Sequence, residues 1–172
     1  GSPPSVPALG MTSSSFTSAA DLIDGILKGL VPRQVRLFAA QGLLPVSRDD
    51  LIRLQVILSA DPDPELAERA ASSLKTLDEE ILGRWLRTPT PGSLELELLI
   101  RLRRDESLWA AVAAHPQVSN QTLRTLARNA TPMVQDIIIT NQVRLLACLE
   151  LLEDIRLNPQ VTQVVLRRVR EF

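Results

Sequence analysis

Apolar residues recur along the chain at spacings of three and four, and between those runs stand the residues that start and stop helices. Ser18 and Asp21 have capping-box spacing, since a Ser oxygen and an acidic side chain can satisfy each other's orphan N–H groups. Leu22, Ile23, Ile26 and Leu27 then form one face, which stops near Gly29. Pro32 suits a first helical turn, where its missing N–H costs nothing, and Gly42 is placed to end that helix in a left-handed cap. Ser47 with Asp50 opens a helix carrying Leu51, Leu54, Val56 and Leu58. Further starts stand at Asp63-Pro64, Asp78, Thr90-Pro91, Ser119, Thr131-Pro132, and Asn158-Pro159 followed by Thr162. Pairs such as Ile81/Trp85, Leu108/Val112, Leu123/Leu126 and Val134/Ile138 keep the helical rhythm after them. These cues predict roughly ten helices, most of them short. The best strand candidate, Ile137 to Thr140, is bounded by helix signals, so the expectation is helix over well over half of residues 18–172 and no sheet.

An internal repeat organises these helices. His115-Pro116-Gln117-Val118-Ser119 is echoed 43 residues later by Asn158-Pro159-Gln160-Val161-Thr162. Downstream, Leu123, Arg124 and Leu126 match Leu166, Arg167 and Val169 in the same register, so Val118, Leu123 and Leu126 should face inward as Val161, Leu166 and Val169 do, with Arg124 and Arg167 pointing alike. Looser echoes begin at Asp61-Pro62-Asp63-Pro64, Thr88-Pro89-Thr90-Pro91 and Thr131-Pro132. Such spacing suits stacked helix-turn-helix units, because each pair buries its face only against the next.

The short Pro-initiated units resemble HEAT-type and leucine-rich-repeat-variant α-solenoids. Asp61-Pro62-Asp63-Pro64-Glu65-Leu66 resembles a turn common in such repeats, and together with Ala39-Ala40-Gln41-Gly42-Leu43-Leu44-Pro45-Val46 it is similar to a group of uncharacterised bacterial HEAT-like proteins. The resemblance covers roughly residues 30–172 and implies an all-α fold, a short right-handed α-solenoid of helix-turn-helix repeats. It brings no activity, because proteins of this class act mostly as binding surfaces.

Composition narrows the picture. The chain has 172 residues, the length of one compact domain, and 45% of them are hydrophobic but only 3% aromatic, so a core must be built from Leu, Ile, Val and Ala. Residues 1–17, rich in Pro, Ser and Thr, read as a flexible leader, with Gly1-Ser2 a remnant of expression and Met11 the native start. The helical-repeat domain is expected over residues 18–172. Its last helix runs to Phe172 without a stop, which reads as a boundary ahead of a further domain that holds the specific activity. Nineteen basic residues against twenty acidic ones remove any global electrostatic case for nucleic acid or anionic membrane. No apolar run approaches the roughly 20 residues of a membrane span, no signal peptide is recognisable, and the one cysteine rules out an intrachain disulfide. These features fit a soluble, cytoplasmic protein.

Candidate chemistry is sparse. His115 is the only histidine and precedes Pro116 at a helix junction, where a solvated or helix-terminal role is ordinary. Cys148, flanked by Leu145, Leu146, Ala147 and Leu149, reads as a small buried core residue with an inert thiol. The acidic pairs Asp49/Asp50, Glu79/Glu80, Glu95/Glu97 and Glu153/Asp154 sit where helix first turns and polar faces favour them, and the glycines are isolated and form no phosphate loop. The sequence thus offers no catalytic residue, metal-ligand set or cofactor motif.

Three arginine groups stand out: Arg101/Arg103/Arg104, Arg124/Arg128 and Arg167/Arg168/Arg170. If the repeats stack, Arg124 and Arg167 line one ridge, either solvated among acidic neighbours or forming a stripe for phosphate. Trp85 and Trp109 fit core packing, with a partner-binding anchor the sharper alternative. The expected function is a non-catalytic interaction or scaffold module that binds another protein or a further domain of the same polypeptide. Its contact residues would be Arg124, Arg128, Arg167, Arg168 and Trp109; the alternative is a nucleic-acid or phosphate-binding repeat using the arginine ridge.

Overall fold

The computed structural model describes residues 18–172. The leader read over residues 1–17, with Gly1-Ser2 and Met11, lies outside the described residues. Helix takes up 70% of the described chain in twelve elements, and no strand occurs among the described residues. They are α1 (Ala19–Leu27), α2 (Arg33–Ala40), α3 (Arg48–Leu58), α4 (Pro64–Thr76), α5 (Glu79–Leu86), α6 (Ser93–Leu102), α7 (Glu106–Ala114), α8 (Asn120–Asn129), α9 (Pro132–Thr140), α10 (Gln142–Ala147), α11 (Glu150–Arg156) and α12 (Gln163–Glu171). Ile137 to Thr140 belongs to α9.

The starts follow local chemistry. Ser18, Ser47, Ser119 and Thr162 each accept, through the hydroxyl, the backbone N–H three residues on, at 3.1–3.2 Å. Two helices end on glycines with positive φ, Gly29 at 72° and Gly42 at 78°. At each, the next residue donates back to the carbonyl five residues before it, Leu30 to Gly25 and Leu43 to Phe38, both at 2.8 Å. A side chain at either glycine would force an L-residue into the left-handed region.

The described chain divides into two compact units, one ending at Leu74 and the other running from Lys75 to Phe172, where the repeat reading carries a single domain over residues 18–172. In the first unit α1 and α2 pack on α3 around Leu22, Ile23, Val31, Leu54, Ile57 and Leu58. The DPDPE turn holds α2 in place: Arg36 donates Nη1 to both oxygens of Asp61 at 2.8 and 2.9 Å, and Arg33 reaches Asp63 and Glu65 at 2.7 and 2.6 Å. The hydrogen bond from Arg33 lowers the Asp63 pKa against a smaller opposing push from burial.

In the second unit α5 packs on α7, α7 on α9 and α9 on α12, while α8 packs on α11. Hydroxyl-to-carboxylate bonds cross two of these pairings, Ser107 to Glu79 and Thr131 to Glu106, and an ion pair from Arg168 to Asp136 crosses α9 and α12. Leu82, Trp85, Leu96, Leu108, Leu126 and Leu151 are sealed inside.

One turn recurs through the chain. Asp61, Thr88, His115 and Asn158 each precede a proline, and each side chain accepts the backbone N–H two residues on, at 2.9, 3.3, 3.0 and 2.8 Å respectively. The first three are spaced by 27 residues and the last follows after 43. The registers of α8 and α12 also agree: Thr122 and Leu126 are buried, as are their counterparts Val165 and Val169. Val161 and Leu166 are only half-buried where Val118 and Leu123 are buried, because α8 is covered by α7, α9 and α11 while the main neighbour of α12 is α9.

Candidate interaction surface

The arginines read as one ridge have different surroundings. Arg124 and Arg128 lie one turn apart on α8, and both reach Asp154 on α11, Arg124 through Nε at 2.8 Å and Arg128 through Nε at 2.6 Å. The Asp154 side chain is 0% exposed. Burial alone would push its pKa up, but hydrogen bonds from Arg124 and Arg128 together with their charge outweigh it, and the net shift is downward. Arg124 is raised in turn, first by its hydrogen bond to Asp154. These two arginines act as a clamp between helices, with 37% of the Arg124 side chain and 51% of the Arg128 side chain still exposed. Arg167, its counterpart on α12, is exposed, and Arg168 pairs with Asp136 and donates to Thr140 Oγ1 at 3.1 Å. Asp154, the carboxylate that pairs with two of them, was read from the sequence as a helix-first-turn or polar-face residue.

Trp109 is 7% exposed and packs inside the unit, donating Nε1–H to the Arg103 carbonyl at 2.6 Å. The segment it holds is tied down by further bonds: Arg103 bonds both oxygens of Asp105 at 2.8 and 3.1 Å and donates to the Leu77 carbonyl at 2.6 Å. The Asp105 hydrogen bond raises Arg103 further, and Arg103 lowers Asp105. The next residue, Arg104, places its guanidinium carbon 5.6 Å from the centre of the Trp109 ring. Beside it lies a polar cleft of about 240 Å³ between α6 and α8, lined among others by Glu97, Arg101, Gln121 and Thr125.

A larger groove of about 690 Å³ runs between α5 and α7. Its α7 wall is short, made of Ser107, Ala110, Ala111 and Ala114, with Arg87 on the opposite wall and His115 at one end. His115 is buried rather than solvated. Its Nδ1 accepts from Gln117 N–H at 3.0 Å and its Nε2 lies 3.1 Å from the Thr88 carbonyl, an arrangement that specifies the Nε2–H tautomer. Both ring nitrogens are thus spent on joining two turns. His115→Ala is expected to lower stability by about 1–2 kcal/mol in urea unfolding through the lost hydrogen bonds, and His115→Asn to recover most of it, because Asn158 performs the same turn closure.

Cys148 is free and buried, and its Sγ–H donates to Glu150 at 3.3 Å. Burial first, then Glu150, raises the thiol pKa. Among the described residues no three His, Cys, Asp or Glu side chains gather closely enough to hold a metal ion, and no helix is long and apolar enough to cross a membrane. The burial of two carboxylates was not foreseen: Asp154, and Glu95, which sits in the first turn of α6 as its position suggested and accepts the Gly92 N–H. Comparison of the chain with protein-family models, with curated proteins and with solved structures finds no match.

Proposed function

We propose that the chain is a non-catalytic protein-interaction module, built as a short α-solenoid of HEAT-like type and acting in the cytoplasm. The observation that carries this reading is the α5–α7 groove. Its α7 wall is of short side chains, its one histidine is occupied by backbone groups, and its volume of about 690 Å³ suits a segment of another protein or of a further domain. The recurrent proline turns and the pairing of α5, α7, α9 and α12 support the solenoid. The phosphate-binding alternative has less support, since Arg124, Arg128 and Arg168 are each committed to a carboxylate within the unit. A photo-crosslinking residue placed at Ala111 is expected to capture a discrete protein in extract of the native cell, and the same residue at Arg170 on α12 to capture none. No adduct at Ala111, or equal labelling at both positions, would overturn the proposal, and a nucleic-acid adduct would favour the alternative.

A further inference from the structure

We infer that the polar cleft between α6 and α8 binds an acidic peptide, with Arg104 seating one carboxylate of the partner; this rests on the interaction-module reading and names the chemistry of its partner. Three features lead there. The side chain of Arg104 is exposed, has no carboxylate partner among the described residues, and lies over the Trp109 ring. The ring is itself fixed by its hydrogen bond to Arg103, and Arg103 by Asp105 and Leu77. A guanidinium supported in this way has less freedom to lose on binding than a solvated one, and its planar array of N–H groups suits a carboxylate.

The second feature is charge. The charged side chains lining the cleft are Glu97, Arg101 and Arg104, and Glu97 already bonds Arg101 at 2.9 Å. One positive charge is left over. A carboxylate balances it, whereas a phosphate dianion over-neutralises it. The third is the opposite wall, where the exposed amide of Gln121 on α8 has no hydrogen bond among the described residues and offers a second donor. By contrast, Arg103, Arg124 and Arg128 are consumed by Asp105 and Asp154 and offer no comparable seat.

The test uses a fluorescein-labelled peptide of alternating Gly and Glu, with Gly-Gln and Gly-phosphoserine counterparts, read by anisotropy against the full chain at low salt. Binding of the Glu peptide, little binding of the Gln peptide and no preference for phosphoserine are expected. Arg104→Gln should weaken the Glu peptide about ten-fold, the loss of one charge-assisted contact. Arg84→Gln, at an exposed position of α5, should leave it unchanged, with circular dichroism confirming the fold. Glu97→Gln frees Arg101 and should tighten binding several-fold, a gain that misfolding cannot produce. Equal affinity in wild type and Arg104→Gln, no gain from Glu97→Gln, or preference for phosphoserine would each overturn the inference. Should Ala111 still capture a partner after such a result, the module reading stands and only the acidic-peptide assignment falls.

Discussion

Trp85→Ala is expected to cost about 3–5 kcal/mol, the largest single loss available in the second unit. Trp85 is 1% exposed and lies on α5 between Leu82 and Leu86, which are sealed in the same interior. Truncation removes one of the two tryptophans of that core, the more deeply buried, and leaves a cavity that well-packed neighbours cannot close. With domain stabilities of about 5–15 kcal/mol, such a loss takes about a fifth or more of the total. Circular dichroism during urea unfolding should show an earlier midpoint for the helical signal; a midpoint within error of wild type would mean that α5 is not integral to the core.

The second large effect is expected at Asp154. Asp154→Ala leaves Arg124 and Arg128 without their shared carboxylate and unpins α11 from α8, at a cost of about 2–4 kcal/mol, below the full penalty for a buried pair because both arginines retain access to water. Arg124→Ala should cost less, because Arg128 still neutralises Asp154, and a double-mutant cycle should show the two changes to be non-additive. The pH dependence has a definite sign. An Asp whose folded pKa is depressed binds its proton more readily when unfolded, so its stabilisation is full above the unfolded value of about 3.9 and is lost as pH falls through the lower folded value. Wild-type stability should therefore fall more steeply than that of Asp154→Asn below about pH 4. Parallel acid titrations of the two proteins would show that Asp154 carries no such linkage.

How much of this was legible in the sequence depends on where each signal resides. The starts at Ser18, Ser47, Ser119 and Thr162 could be read because capping is a contact between neighbours in the chain, and the stops at Gly29 and Gly42 because only glycine enters that conformation cheaply. The region from Pro132 to Arg156 carried less information. Asn141 opens α10 directly after α9 with neither proline nor glycine between them, and α11 follows Leu149, which gives it no side-chain cap. The clamp was invisible for another reason: Asp154 is 30 residues from Arg124, and nothing local distinguishes a carboxylate that will be buried from its exposed neighbour Glu153. Trp109 was given two readings from the sequence, core packing and partner anchor; its burial, its bond to the Arg103 carbonyl and the Arg104 guanidinium over its ring come from contacts that single-residue spacing does not signal.

The proline turns carry one more consequence. Aspartate, threonine, histidine and asparagine occupy the same place in four turns, because closure requires only an acceptor at the γ or δ position, followed by a residue that has no N–H of its own. The turn is therefore specified by one side-chain lone pair followed by proline, and not by one residue type at its first position. Exchange among such acceptors at that position leaves the backbone turning at the same point.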